Sequence, residues 1–216
     1  MFNTFIERLL SLILPKDADI LKIERMSASE LAETMPEADP LPDAGHKALF
    51  HYKDPLVRAA IWEIKYKGNK IIAGKLAKLL HESIISQIAD AAAFANFTDP
   101  LLVPIPASGS TIRERGFNQC ELIAKELEKI DGKNTFTASF DALKKITDTP
   151  HQSKLKNRAE RLKNLKGSFG ADPLKIKDRN IILLDDVITT GATMREAEKT
   201  LRRAGAKSVI CFALAH

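Results

Sequence analysis

Cysteine is nearly missing from this chain of 216 residues, which holds two, Cys120 and Cys211. They stand far apart, each inside a helix-like or strand-like pattern, and read as reduced, buried thiols of a cytoplasmic protein rather than a disulfide framework. Residues 1–50 contain none, and His46 and His51 are the only soft ligands nearby. Two histidines do not make a structural zinc site, so no zinc is expected. Nothing approaches the roughly 18 consecutive apolar residues of a membrane span. No secretory signal is visible either, since Glu7 and Arg8 interrupt the first apolar stretch and no basic segment precedes it. Aromatic residues make up only 6% of the chain. A single aromatic is a weak signal, so Phe117 reads as a packing anchor rather than a stacking platform. Internal repeats and low-complexity segments are absent.

What is present suits one α/β domain with a small accessory region, and 44% hydrophobic residues can fill its core. The net charge of +5 conceals an asymmetry: residues 1–50 carry −4 and the rest +9. We therefore expect an acidic, helical accessory region over 1–50 and the main domain over 51–216. Phe2, Phe5, Ile6, Leu9, Leu10 and Ile13 form an apolar stripe ended by Pro15, a docking or core helix before a membrane anchor. Residues 36–45 read as a long connection. Helices are expected over 54–66, 70–92, 112–130 and 193–204, the last with Met194, Ala197 and Leu201 inward and Gly205 as its stop. Strands are expected over 101–105, 136–140, 181–184 and 209–214. This alternation implies a mainly parallel sheet flanked by helices.

Residues 180–193 put a short aliphatic strand, an acid pair and a hydroxyl-and-glycine loop in immediate succession. Ile181 to Leu184 is continuously apolar, as a strand covered on both faces should be. Asp185 and Asp186 stand at its carboxyl end, where open α/β sheets bind ligands, and two carboxylates there can accept hydrogen bonds from a vicinal diol. Thr189, Thr190, Gly191, Ala192 and Thr193 then open a helix, whose free N–H groups, hydroxyls and glycine make an anion cradle.

Two further blocks have the same flavour. Leu101 to Ile105 is a second apolar strand whose pairing Pro104 and Pro106 end. Beyond it lie Ala107, Ser108 and Gly109, then Arg113 and Arg115, small donors and guanidinium forks suited to anions. Residues 143–179 hold eleven Lys or Arg against four acids. Leu155, Arg158, Ala159 and Leu162 have helical spacing there, with basic residues on the flanks. A closing loop, a nucleic-acid surface and a plain solvated face all remain open for this stretch.

The run from Asn180 to Thr193 resembles the phosphoribosyl-diphosphate motif of type I phosphoribosyltransferases. Val-Pro-Ile-Pro at 103–106, Arg-Glu-Arg-Gly-Phe-Asn-Gln at 113–119 and the Gln152 to Asn164 stretch are similar, in the same order, to the signature of the ComF family, the relatives of competence protein F. The resemblance covers roughly residues 50–216. It implies a type I phosphoribosyltransferase-like fold that binds phosphoribosyl diphosphate, with Mg²⁺ held mainly by the ligand and no confident side-chain ligand. Asp185 and Asp186 would take the ribose diol, and residues 189–193 the 5′-phosphate. Ala107, Ser108 and Gly109 would form the diphosphate loop, with Arg113, Arg115 and Arg158 balancing leaving-group charge. The implied reaction is transfer of phosphoribosyl to an unidentified, nucleobase-like acceptor, and the family name links it to competence and DNA uptake. The alternative is a non-catalytic, nucleic-acid-handling protein that senses a ligand or binds single-stranded DNA, with Lys154, Lys156 and Arg161 on phosphates. A competence-machinery protein and a second copy of the chain are further partners left open. Many ComF proteins carry a four-cysteine zinc module at the amino end, which residues 1–50 lack. Lys65, Tyr66 and Gly68 match a Lys-Tyr-x-Gly element common in the family and read as a surface Lys beside a buried Tyr.

Overall fold

The computed structural model describes residues 18–43, 45–147 and 165–216. The apolar stripe from Phe2 to Ile13 lies outside them, as do Lys154, Lys156, Arg158 and Arg161. Helices α1 (Ala18–Arg25) and α2 (Ala28–Thr34) come first, the second opened by a capping box between Ser27 and Glu30. Strand β1 (His46–Phe50) leads to α3 (Pro55–Trp62), capped by Asp54 with proline at its first position. A π turn (Glu63–Lys67) and the left-handed Gly68 separate α3 from the long α4 (Lys70–Ala95). Then follow β2 (Leu101–Pro104), α5 (Gly109–Arg115), α6 (Gln119–Asp131) and β3 (Thr137–Ala138). Strands β4 (Leu143–Lys145) and β5 (Phe169–Ala171), the short α7 (Pro173–Ile176), β6 (Asn180–Val187), α8 (Ala192–Arg203) and β7 (Ser208–Ala215) complete the order.

Five strands form one parallel sheet in the order β1-β7-β6-β2-β3, and β4 and β5 pair antiparallel beside it. The expected doubly covered parallel sheet is what forms. Alternation along its central strands sorts the side chains into two cores. Ile182, Leu184, Ile210, Phe212 and Leu214 join the core shared with α1 to α4 and α6. Ile181, Leu183, Val209, Cys211 and Ala213 join the other, with Met194, Ala197 and Leu201 of α8.

Residues before 50 are knitted into the first core. Ile20, Ile23, Leu31 and Met35 are buried in it. Lys75 of α4 donates to the carbonyls of Ile23, Glu24 and Met26 at the end of α1, a cation on otherwise unsatisfied helix carbonyls. His46 to Phe50 supply an edge strand of the sheet itself.

Two sequence expectations need correction. The single helix expected over 112–130 is two helices, because Gly116 takes φ of +84° and ends α5, and Asn118 caps a new start at Gln119. The helix expected over 54–66 is regular only to Trp62 and then widens into the π turn, a local form that apolar periodicity does not signal.

Candidate functional site

The carboxyl ends of β2 and β6, the start of α8 and the π turn enclose a cavity of about 320 Å³. Asp185 and Asp186 are its floor, both buried. Being neighbours in a strand, they leave it on opposite sides and meet different partners. Cys120 at the start of α6 donates its thiol to Asp185 Oδ1 at 3.4 Å. On the other side Lys65 Nζ stands 3.3 Å from Asp186 Oδ2. That ion pair is not aligned as a hydrogen bond, and Asp186 Oδ2 remains a buried acceptor without a hydrogen-bond partner.

Charge is expensive on this floor. Burial first, and the neighbouring Asp186 carboxylate second, push the Asp185 carboxyl up to about 7. Burial opposes the Lys65 ammonium, yet Asp186 and Asp185 outweigh that and hold it above the usual lysine range. Burial and the same two acids raise the Cys120 thiol, which stays protonated and serves as a donor. Because Asp185 is raised when folded, its stabilising contribution is complete below about 4 and is lost as pH rises through about 7. Wild type should therefore lose stability relative to Asp185→Asn across that window and run parallel to it above. Urea unfolding of both at several pH values checks this, and parallel curves throughout would sink the assignment.

One wall is the amino end of α8. Gly191 precedes it at φ of +72°, and no side chain caps the helix. Each other helix of known cap among α2 to α7 uses Ser27, Asp54, Asn69, Ser108, Asn118 or Asp172. Thr189, Gly191, Ala192 and Thr193 line the cavity. Thr190 instead gives its carbonyl to Arg195, whose Nη2 donates at 2.6 Å while Nη1 donates to Asp43 Oδ2, also at 2.6 Å. A strut from the acidic amino-terminal segment thus braces the loop from behind.

The opposite wall carries the block after β2. Ala107 and Ser108 line the cavity, and Ser108 caps α5 by accepting from the Thr111 N–H. Gly109 is the first residue of that helix. Arg115 is buried in the wall with its Nη1 donating to Gln119 Oε1 at 3.2 Å. Arg113, two residues earlier, is exposed on α5 and is not part of the lining. Asn118 caps α6 and donates Nδ2 to the Ile105 carbonyl, which ties this helix to the strand exit. Phe117 is half-buried and faces Gly68, where a Cβ would lie 3.3 Å from its ring.

Lys-Tyr-x-Gly is reversed from its sequence reading. Lys65 turns inward to Asp186, and Tyr66 is exposed with the Arg115 guanidinium 4.7 Å over its ring. Tyr52, Lys65, Tyr66 and Gln119 line the cavity without having been singled out for it, and Thr111 and Lys145 join them. The spacing Lys65-Tyr66-x-Gly68 was the available signal, but only the π turn places it at the sheet's carboxyl edge.

Hard and soft metal donors come together twice among the described residues, as Cys120 with Asp185 and Asp186, and as His46 with Glu198 and Cys211. In the second group His46 Nε2 lies 2.9 Å from Glu198 Oε2, and Arg202 grips Glu198 Oε1 with Nε and Nη2. Burial pushes the Cys211 thiol well up.

A parallel α/β sheet with an uncapped helix start and paired acids at one strand end is the architecture of the type I phosphoribosyltransferases. Residues 70–216 match the phosphoribosyl transferase domain family, and the chain belongs to it, within the ComF branch. It is 30% identical over 169 residues to competence protein F of Haemophilus influenzae, covering 76% of this chain and 69% of that one. It is 28% identical over 162 residues to the DNA utilization protein YhgH of Salmonella typhimurium, covering 74% and 67%. Among solved structures, glutamine phosphoribosylpyrophosphate amidotransferase from B. subtilis superposes with a TM-score of 0.44 at 15% identity, over 71% of this chain and 30% of that one. No helix among the described residues is long and apolar enough to cross a membrane.

Proposed function

We propose that this cavity binds phosphoribosyl diphosphate with Mg²⁺ and that the protein transfers the phosphoribosyl group to an acceptor nucleophile. The observation that carries the reading is the pairing of two complementary features in one cavity. Asp186 Oδ2 is a buried acceptor lacking a hydrogen bond, which suits a ribose hydroxyl. Facing it, the uncapped start of α8 offers N–H groups and the positive end of a helix dipole, which suits a 5′-phosphate.

In this assignment Asp186 and Asp185 hold the ribose diol, and Thr189, Gly191, Ala192 and Thr193 hold the 5′-phosphate, with Thr190 shaping the loop through Arg195. Ala107 and Ser108 approach the diphosphate, and Arg115 balances the charge that leaves with it. Attack at the anomeric carbon forms the bond to the acceptor as the bond to diphosphate breaks, through a transition state of oxocarbenium character. No covalent residue is required, so positioning and fixed charge supply the rate. The buried thiol of Cys120 does not suit Mg²⁺, whereas the two carboxylates are hard oxygen donors at the ribose end. When bound, the ion would neutralise diphosphate oxygens, with Asp185 and Asp186 as the nearest hard donors the chain could offer.

A cytoplasmic location is part of the same proposal, and the free, buried thiols of Cys120 and Cys211 support it. A role in DNA uptake is supported by the names of the relatives, competence protein F and DNA utilization protein YhgH. Release of inorganic diphosphate from phosphoribosyl diphosphate and Mg²⁺, measured with and without nucleobases, tests the transfer. Acceptor-dependent release supports it, and release unchanged by every acceptor would contradict it.

Zinc has no place in this account. Elemental analysis of purified protein should find no stoichiometric zinc, and chelation should leave the fold intact. One zinc per chain, lost together with folding, would overturn that.

A further inference from the structure

Two side chains from outside the loop that precedes α8 hold its carbonyl groups. Arg195 Nη2 donates to the Thr190 carbonyl at 2.6 Å. His216, directly after β7, meets the Ile188 carbonyl with its ring Nδ1 at 2.8 Å. A carbonyl only accepts, so Nδ1 carries the hydrogen of this bond. The backbone fixes His216 independently of its ring. Its N–H donates to the Phe50 carbonyl at 3.0 Å, and its carbonyl accepts from the Tyr52 N–H at 2.8 Å. The Ile188 N–H donates in turn to the Ala215 carbonyl at 2.9 Å. The half-buried imidazole is thereby seated where the chain leaves β1, β6 and β7.

In a planar trans peptide the C=O and the N–H that follows it point in opposite directions. With the Ile188 carbonyl turned to His216, the Thr189 N–H faces the other way, and Thr189 lines the cavity. The Thr190 carbonyl held by Arg195 does the same for the N–H of Gly191, which also lines it. N–H groups turned to one side of a loop in this way make a concave anion site. We propose that His216 is a positioning residue for this loop: by holding the Ile188 carbonyl, its imidazole aims the Thr189 N–H at the 5′-phosphate of the ligand. Local pattern gives no sign of it, because the two partners stand 28 residues apart in the chain. The inference rests on the phosphoribosyl reading of the cavity and adds to it a residue outside the loop's own motif. Loss of the ring alone leaves the backbone ties to Phe50 and Tyr52 in place, so the strand ends need not move with it.

The full chain is titrated by calorimetry with ribose 5-phosphate and, separately, with inorganic diphosphate and Mg²⁺, as wild type, His216→Leu and His216→Asn. Asn puts an amide nitrogen close to the place of Nδ1 and keeps a donor there, whereas Leu keeps bulk and loses the donor. Affinity for ribose 5-phosphate should be about five- to tenfold weaker in His216→Leu and within about twofold of wild type in His216→Asn. Affinity for diphosphate, assigned to the opposite wall, should not change in either. Equal loss in both variants, or a parallel loss for diphosphate, would show that His216 only packs and would overturn the proposal. So would wild-type affinity in folded His216→Leu. If His216→Leu does not fold, amide NMR of the wild type decides. The Thr189 N–H resonance should move as ribose 5-phosphate saturates the chain, and a Thr189 resonance that stays in place while the ligand binds would overturn the proposal and leave the phosphoribosyl reading standing. A wild-type chain that binds no ribose 5-phosphate would instead sink that reading, and the role of His216 with it.

Discussion

Replacing Asp185 and Asp186 together by Asn should weaken binding of phosphoribosyl diphosphate by roughly 100-fold or more while leaving the chain folded. Both halves of this result follow from the charges on the floor. Burial opposes charge on this floor, and the second carboxylate raises the first to about 7. Neutral amides of the same shape remove that penalty, and against this gain they leave the Lys65 ammonium without its counter-ion. The same change removes the ionised acceptors for the ribose diol. Taking about 1.5–3 kcal/mol for each hydrogen bond to a charged group, loss of two weakens binding by roughly 100-fold or more. Calorimetry reads the affinity and thermal melting reads the fold. Wild-type affinity in a folded double variant would refute the floor as the ribose site.

The second large effect is expected at Gly191. Its φ of +72° is strained for any residue with a Cβ, and an added Cβ would lie 2.6 Å from Arg195 Nη1. The guanidinium tip can swing away, but only by releasing the Thr190 carbonyl and Asp43. Gly191→Ala should therefore weaken binding of ribose 5-phosphate by about tenfold or more, with a loss of stability of about 1–2 kcal/mol from the backbone strain alone. Arg195→Met isolates the strut from the strain. It should lower ribose 5-phosphate affinity more than it lowers stability, because Arg195 is partly exposed and its ion pair with Asp43 is screened. Wild-type affinity for ribose 5-phosphate in Arg195→Met would show that the loop keeps its shape without Arg195.

The sheet and the acid pair were legible because they rest on local patterns. A continuous aliphatic run from Ile181 to Leu184 has few homes other than a buried parallel strand, and acids directly after it mark the edge where such sheets bind ligands. Gly191 and Ala192 were legible for the same reason. The opposite wall was only partly so. Arg113 and Arg115 are equivalent as sequence, two guanidiniums in one helix turn, yet their spacing of two puts them on different faces and only Arg115 reaches the cavity. Lys65 and Tyr66 were misjudged because their placement depends on a π turn, and hydrophobic periodicity carries no mark of one extra residue per turn. The strut from Asp43 joins residues 152 apart in the chain, a tertiary pairing that no local pattern encodes.

The most direct test of the central claim is calorimetric titration of the intact wild-type chain with phosphoribosyl diphosphate, in the presence and absence of Mg²⁺. The account predicts saturable binding at one site per chain, strengthened by Mg²⁺ and competed by ribose 5-phosphate. Absence of binding at millimolar ligand with Mg²⁺ present would contradict it.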